Sequence, residues 1–145
     1  MFALHPQLQA DTFPVTDLQL CRVLLMNDCN YPWVILVPRK DNIREIHQLD
    51  GAERQTLMDE MSNVAQKLEH AFSAKKMNVA ALGNMVPQLH VHVVARFEED
   101  PAWPTPIWGK VPAKPYDEQS KALMLERVRS LLVPEADMPL QEAAQ

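Results

Sequence analysis

The sequence is poor in cysteine and has no long apolar run. Its two cysteines, Cys21 and Cys29, are too few for a disulfide scaffold, and the first residues lack the pattern of a secretory signal. The longest apolar run, Trp33 to Val37, is far shorter than a membrane span. We therefore expect a cytoplasmic protein with reduced thiols and no membrane partner.

The sequence also has few glycines and an excess of negative charge, and both features limit the kinds of ligand that it can bind. The three glycines, Gly51, Gly83 and Gly109, are widely separated. The chain therefore has neither a glycine-rich phosphate loop nor a dinucleotide-binding fingerprint. A net charge of −5 argues against binding to a nucleic-acid backbone. It is compatible with a small anionic substrate held by a local site.

The overall composition is typical of one globular domain. The 145 residues are 47% hydrophobic and 23% charged, which fits a single domain with a real core over residues 1–145. We expect residues 1–17 to form an N-terminal arm, with a short helix or turn. Residues 98–116, rich in proline and tryptophan, are expected to form an irregular arm, and residues 133–145 a C-terminal tail.

Apolar spacing predicts two helices and several strands. A long helix is expected after Asp50, because Glu53 three positions on completes a capping box and an apolar stripe follows at three- and four-residue spacing. A final helix is expected from Asp117 to Leu132, with Asp117 as its N-cap. Strands are predicted at residues 18–26, 33–37, 77–82 and 88–96, the first two forming a hairpin and the last two an antiparallel pair.

The stretch Gln88 to Arg96, QLHVHVVAR, carries two histidines two positions apart. In a strand, successive side chains point to opposite faces. One face is then apolar, while His90 and His92 share the other, about 7 Å apart along the strand. A β-branched strand of this kind holds a reactive side chain in a fixed pose. Arg96 lies on the histidine face, where a charge at the rim is the expected role.

Three interpretations of His90 and His92 are open from the residues alone. In the first, both histidines are structural and face solvent or a neighbouring residue. In the second they bind a metal ion, and in the third they catalyse a reaction at a phosphate group. A metal site needs further ligands, and the other histidines and the two cysteines are not spaced to supply them, so we expect no metal or other cofactor. For phosphate chemistry, one neutral imidazole attacks while the second donates a hydrogen bond. Gln88 adds a donor and an acceptor.

At this point the chain resembles the histidine triad (HIT) family of nucleotide hydrolases and transferases. The signature of that family is His-φ-His-φ-His-φ-φ, with φ apolar, and Gln88 to Val94 fits it except that glutamine replaces the first histidine. The apolar strand followed by proline and a basic residue at Tyr31 to Ile43 is also similar, as is Trp103-Pro104 after the histidines. The resemblance covers about residues 15 to 108.

The resemblance implies a fold and an activity. The fold would be α+β, an antiparallel sheet of about five strands with one long helix and a C-terminal helix, joined to a second subunit as a homodimer. His90 would attack the α-phosphate of a nucleotide without a metal, forming a nucleotidyl-histidine, and His92 would bind and assist the phosphate. The substrate would be of the dinucleoside polyphosphate or nucleoside phosphoramidate type.

The resemblance also implies binding residues, and three of them have a plainer alternative. Asn27 or Asp28 would bind the ribose, although a simple turn pair has the same sequence. Asn78 would hold the phosphate, or it is a polar residue at a strand end. Asn84 and Met85 lie in the turn before the histidines, whose backbone would face the nucleotide. Met85 falls near a position where the family often has a serine that helps the leaving group.

Gln88 is the main departure from the family pattern. A carboxamide cannot titrate, so a proton relay through the first histidine position is lost. The chain retains the nucleophile position, and we count Gln88 with His90 and His92 as catalytic candidates. Hydrolysis is the favoured function. A nucleotide-binding sensor without turnover and a nucleotidyl transferase remain the alternatives.

Overall fold

A five-stranded antiparallel sheet forms the centre of the computed structural model, which describes residues 1–133. The strands lie in the spatial order β1-β2-β3-β5-β4, and the predicted α+β class is confirmed. The predicted tail at residues 133–145 lies outside the described residues, apart from Val133. The strands are β1 Thr12–Asp17, β2 Cys21–Met26, β3 Trp33–Pro38, β4 Lys76–Ala80 and β5 Val91–Arg96.

Three α-helices accompany the sheet, α1 Pro6–Asp11, α2 Gly51–Phe72 and α3 Glu118–Leu132, and a short 3-10 helix, Ile46–Gln48, precedes α2. The predicted capping box of α2 is present, since the Glu53 N–H donates to the Asp50 carboxylate over 2.8 Å and the Asp50 N–H donates to Glu53 over 2.9 Å. The predicted N-cap of α3 is also confirmed, because Asp117 accepts from the Ser120 N–H over 2.7 Å. No helix within residues 1–133 is long and apolar enough to cross a membrane.

Different elements pack against the two faces of the sheet. One face packs against α2 and α3 through a core that includes Val91 and Val93 of β5. On the opposite face, Ile35 and Val94 pack against α1 and the 98–108 segment. Because side chains alternate along β5, the face of His92 is the one that α1 and the 98–108 segment cover. The predicted separation of an apolar and a histidine face is confirmed.

Residues 1–17 are more regular than the predicted arm. They contain α1 and the edge strand β1, which pairs with β2 from Thr12 opposite Met26 to Asp17 opposite Arg22. Pro14 lies within β1, where the edge position tolerates its missing N–H, and the pairing register shifts between Pro14 and Thr16. The fifth strand of the sheet therefore comes from a polar, proline-containing segment that apolar alternation does not mark.

The histidine strand is shorter than predicted. β5 begins at Val91, so Gln88 and His90 precede it. The ladder with β3 ends at Leu36 opposite Val91, and the Leu89 N–H donates instead to the Ile43 carbonyl over 2.9 Å. The nucleophile candidate therefore lies between the last pair of the β3–β5 ladder and this hydrogen bond to the loop before α2.

The prediction of Arg96 as a rim charge is wrong. The residue is only 2% exposed, and its guanidinium forms an ion pair with Asp100 over 2.8 Å. It also donates to the Thr105 carbonyl over 2.8 Å and lies over the rings of Tyr31 and Trp103. These contacts fix the 98–116 arm, which contains turns and bends, to its own sheet.

Candidate active site

His90 is the residue that the sequence singles out as a nucleophile, and its ring has a defined hydrogen bond. The Nδ1 atom lies 2.6 Å from the Gln88 carbonyl oxygen. A carbonyl oxygen only accepts hydrogen bonds, so Nδ1 carries the proton in the neutral ring. The Nε2 atom then has a free lone pair, which is the state required for attack on an electrophile.

His90 lies at the wall of a cavity of about 380 Å³. The residue is 6% exposed, so the protein holds most of the ring while one side borders this space. Arg44, His47 and Arg54 line the same cavity and supply cations or hydrogen-bond donors suited to an anion. The remaining wall includes Gly83 and neighbouring residues of the connection between β4 and β5.

His92 is held in the complementary protonation state. The indole Nε1 of Trp33 donates to its Nδ1 atom over 3.0 Å. Because an indole N–H is only a donor, Nδ1 of His92 must accept, and the proton of the neutral ring lies on Nε2. Burial, and then the neighbouring His90, lowers the pKa of His92 from 6.5 to about 4. The ring is therefore a neutral hydrogen-bond donor at pH 7.

The two imidazoles belong to a cluster of five aromatic rings, together with Trp33, Trp108 and Tyr31. The centroids of His90 and His92 are 4.9 Å apart, closer than the predicted spacing along an ideal strand. Trp108 packs edge-on against His92 at 5.2 Å and against Trp33 at 6.1 Å. Trp33 was not among the site residues predicted from the sequence. A buried indole N–H needs a hydrogen-bond acceptor, and this requirement is the feature of the sequence that could have pointed to Trp33 as a partner of His92.

The Gln88 side chain forms hydrogen bonds with the N-terminal segment. Its carboxamide nitrogen donates to the Ala3 carbonyl over 2.9 Å, and its oxygen accepts from the His5 N–H over 2.8 Å. Both polar atoms of the side chain thus bind backbone groups. Gln88 and Arg44 also line a second cavity of about 780 Å³, bounded by the N-terminal segment and the 40–44 loop.

Asn27 and Asp28, the predicted ribose-binding residues, bind the segment that leads into α3. The Asn27 side-chain oxygen accepts from the Tyr116 N–H over 2.9 Å. One Asp28 carboxylate oxygen accepts from the N–H groups of Asn30 and Lys114, over 3.0 and 3.2 Å. These contacts make both residues tethers between the β2–β3 turn and the segment that precedes α3.

The remaining predicted binding residues, Asn78, Asn84 and Met85, do not line the cavity beside His90. Asn78 accepts from the Arg96 guanidinium over 2.7 Å. Asn84 is exposed, and Met85 is 92% exposed at the tip of the connection before β5. The nucleotide-binding roles assigned to Asn27, Asp28, Asn78, Asn84 and Met85 stay predictions. Within residues 1–133, no cluster of three or more histidine, cysteine or acidic side chains is arranged to hold a metal ion.

The comparisons with known proteins identify the family. Residues 7–99 match the family model of the HIT domain, and the chain belongs to the HIT family. It is 51% identical to a histidine triad protein from Marinobacter aquaeolei, with a TM-score of 0.89 over 91% of this chain and 96% of the other. A histidine triad protein from Bradyrhizobium japonicum is 41% identical, with a TM-score of 0.88 over 91% and 98%.

A third solved structure agrees with these two. A histidine triad protein from Sinorhizobium meliloti is 43% identical, with a TM-score of 0.87 over 90% of this chain and 97% of the other. No curated protein matches the chain. HIT proteins bind nucleotides and are in general nucleotide hydrolases or transferases, and membership in the family supports an activity of that kind.

Proposed function

We propose that this protein is a hydrolase that cleaves a nucleotide at its α-phosphate, with His90 as nucleophile and His92 as hydrogen-bond donor. The observation that carries the proposal is the pair of opposite tautomers. The Gln88 carbonyl keeps the proton of His90 on Nδ1, and the Trp33 indole keeps that of His92 on Nε2. One ring therefore offers a lone pair and its neighbour offers a proton.

In the first step, Nε2 of His90 attacks the α-phosphorus. A phosphorus–nitrogen bond forms, and the bond from phosphorus to the leaving group breaks. The leaving group departs with the bonding electron pair and takes a proton from solvent or is released as an anion. His92 donates its Nε2–H to a phosphoryl oxygen, whose negative charge rises in the transition state. The product of this step is a nucleotidyl-histidine.

In the second step, water cleaves that intermediate. The water oxygen bonds to phosphorus, the phosphorus–nitrogen bond breaks, and the electron pair returns to Nε2 of His90. A nucleoside monophosphate is released, and the water proton passes to solvent. Because the Nδ1–H of His90 remains bonded to the Gln88 carbonyl, the positive charge of the intermediate is stabilised by a fixed dipole.

The substrate is of the dinucleoside polyphosphate or nucleoside phosphoramidate type. The test is release of nucleoside monophosphate by the wild type, by His90→Ala and by His70→Ala, a control in which an exposed histidine of α2 is removed. We expect the first variant to lose at least a thousandfold in kcat, as for loss of a covalent nucleophile, and the control to match the wild type. Equal rates for the wild type and His90→Ala would overturn the proposal.

The same assay distinguishes the two alternatives. A nucleotide sensor would bind a nucleoside monophosphate saturably and release no product over long incubation. A transferase would release the first product but pass the nucleotide to an acceptor other than water. In both cases the contribution of His90 to binding or transfer is read from the same His90→Ala variant.

We further propose that the protein is a homodimer joined through β4. This strand is at the edge of the sheet, where unpaired backbone groups can accept another strand. Val79 on β4 is 46% exposed, and Leu82 and Met85 just beyond it are 48% and 92% exposed. An edge strand flanked by exposed apolar side chains suits a two-fold pairing with a second copy.

A further inference from the structure

His90 lies in a stretch of chain that strand pairing does not hold. The ladder between β3 and β5 begins only at Val91, the residue after the imidazole. Hydrogen bonds on two sides hold the stretch instead. On one side the Leu89 N–H donates to the Ile43 carbonyl over 2.9 Å. On the other side the Gln88 side chain binds the N-terminal segment, so the position of the nucleophile depends on a distant part of the chain.

Gln88 joins this stretch to residues 2–6, which we call the strap. Its side-chain oxygen accepts from the His5 N–H over 2.8 Å, and its side-chain nitrogen donates to the Ala3 carbonyl over 2.9 Å. Both partners are backbone groups more than eighty residues away along the chain. The two bonds therefore attach residue 88 to the backbone of the strap rather than to a mobile side chain.

The strap has anchors of its own, apart from Gln88. Phe2 and Leu4 pack against the core cluster on the histidine face of the sheet, and the Arg22 guanidinium lies 5.5 Å from the centre of the Phe2 ring. At its other end the strap continues into α1 and then into β1, which pairs with β2. A segment that is held at both ends gives Gln88 a fixed partner.

The backbone of Gln88 in turn determines the state of His90. The Gln88 carbonyl oxygen lies 2.6 Å from Nδ1 of His90, and because a carbonyl only accepts, the proton of the neutral ring is on Nδ1. A rotation of residue 88 that turned this carbonyl away would let the proton take either nitrogen. Only the tautomer with its proton on Nδ1 has the Nε2 lone pair that attacks.

Glutamine suits this link better than the histidine of the family pattern. A carboxamide presents a donor and an acceptor side by side, which matches a backbone C=O and N–H two residues apart. The two nitrogens of an imidazole point away from each other and share one proton in the neutral ring. The replacement at position 88 therefore substitutes an anchor for a titratable group.

We propose that Gln88 is a positioning residue through which the docked strap keeps Nε2 of His90 in the nucleophilic state. Its side chain binds the strap, and its carbonyl binds the imidazole. Release of the strap lowers the rate of the chemical step and leaves substrate binding nearly unchanged. The effect on rate rests on the proposed function, whereas the effect on the His90 ring needs no substrate.

Nitrogen NMR of the substrate-free protein reads the tautomer of His90, because a ring nitrogen shifts when it carries a proton. His90→Ala identifies the signals of this ring. At about pH 8, where histidine is neutral, the wild type should show only the form with the proton on Nδ1. Gln88→Leu should show a mixture of both tautomers, and its His5 amide should exchange about tenfold faster or more.

A pair of substitutions in the strap removes one of the two bonds without touching Gln88. His5 has a φ of −56°, close to the roughly −65° of proline, so His5→Pro fits the backbone and removes the N–H that Gln88 accepts. His5→Ala removes the imidazole but keeps that N–H. Both variants lose the bond from the Gln7 N–H to the His5 ring, which makes alanine the matched control. Only the proline variant should shift the tautomer of His90.

Steady-state release of nucleoside monophosphate measures the consequence for rate. Gln88→Leu and His5→Pro should lower kcat about tenfold and keep KM within about threefold, because the missing contribution belongs to the chemical step. His5→Ala should match the wild type. Gln88→Glu keeps the acceptor for His5 but loses the donor to Ala3, and its kcat should lie between those of Gln88→Leu and the wild type.

Three results would overturn the inference. One is a Gln88→Leu protein in which the His5 amide exchanges as in the wild type. Another is faster exchange of that amide while His90 keeps its proton on Nδ1. The third is the same tautomer in His5→Pro and His5→Ala. Failure of the proposed function is a separate result, because it is seen as a wild type that releases no product and leaves the NMR measurement intact.

Discussion

The indole Nε1 of Trp33 donates a hydrogen bond to Nδ1 of His92 over 3.0 Å, between two adjacent strands of the sheet. Trp33 begins β3 and lies opposite Val94, while His92 lies opposite Ile35, so the two residues are diagonal neighbours on one face. The bond assigns the proton of His92 to Nε2. The pairing register of β3 and β5 therefore determines which nitrogen of His92 carries the proton.

Trp33→Phe should therefore lower kcat. The variant keeps an aromatic ring but removes the donor, which leaves His92 free to place its proton on either nitrogen. Loss of a buried hydrogen bond costs about 1–3 kcal/mol, so we expect a decrease in kcat of roughly tenfold or more with a smaller change in KM. The measurement is steady-state release of nucleoside monophosphate.

The matched control for this variant is Trp103→Phe. Trp103 packs on the Arg96 guanidinium and not on an imidazole, and phenylalanine retains a ring for that contact. Its kcat should stay within threefold of the wild type. A Trp33→Phe enzyme with the kcat of the wild type would show that the indole N–H does not set the state of His92.

The lowered pKa of His92 also predicts a dependence of stability on pH. The pKa falls from 6.5, the ordinary value of histidine, to about 4 in the folded protein, chiefly because of burial and then because of His90. Between these values the unfolded chain binds the proton more readily, so stability is full above pH 6.5 and falls as the pH decreases toward 4. From pH 7 to pH 5 this group alone should cost about 2 kcal/mol.

Urea unfolding of the wild type and of His92→Asn at pH 7 and pH 5 checks this value. The wild type should lose about 2 kcal/mol more than the variant over that interval. His70→Ala, which removes an exposed histidine, should behave as the wild type does. A pH dependence identical in the wild type and His92→Asn would contradict a buried, neutral His92.

The buried ion pair of Arg96 and Asp100 should be a major determinant of stability. Burial alone would raise the pKa of Asp100, but hydrogen bonds from Arg96 and from the N–H groups of Phe97, Ala102 and Trp103 lower it to about 2. Asp100→Asn leaves the buried guanidinium without its counter-charge, and we expect a loss of about 3–5 kcal/mol in the free energy of unfolding.

Chemical denaturation measures that loss, with Glu98→Gln as the control. Glu98 pairs with Lys75 over 3.4 Å, and both side chains are about 60% exposed. Its removal should change stability by less than about 1 kcal/mol. An Asp100→Asn protein as stable as Glu98→Gln would show that the 98–116 arm is held by its apolar contacts alone.

Local patterns in the sequence are sufficient to predict several of these features. The capping residues Asp50 and Asp117 mark the starts of α2 and α3 because a cap depends on neighbours three positions away. The two faces of β5 follow from simple alternation. The strand β1 escapes prediction because Pro14 and the polar residues around it obscure the alternation, and only pairing with β2 makes the segment a strand.

Two of the features that sequence analysis misses depend on contacts between residues far apart in the sequence, and a third depends on the path of the 98–116 arm. The partners of Gln88 lie in the N-terminal segment, and the partner of His92 lies on β3. Arginine is mostly exposed in proteins, which favours the rim for Arg96, but the folded arm brings Asp100 and a carbonyl to it. Such pairs are set by strand register and by the path of the arm, neither of which is encoded in local spacing.

The proposed dimer predicts that one charge on β4 will separate the subunits. Val79→Lys places an ammonium group on the exposed side of the edge strand, where pairing with a second copy would bring two such charges together. Light scattering should give the mass of a dimer for the wild type and of a monomer for this variant. Leu123→Lys, at an exposed position on α3, is the control. A wild-type protein with the mass of a monomer would contradict the proposed dimer.

The most direct test of the account is the intact mass of the protein quenched with acid-free denaturant during turnover of diadenosine tetraphosphate. The account predicts a fraction of molecules heavier by one adenylyl group, with the added mass on a peptide that contains His90 and absent from His90→Ala. Turnover without any such adduct, or an adduct on another residue, would contradict His90 as the nucleophile.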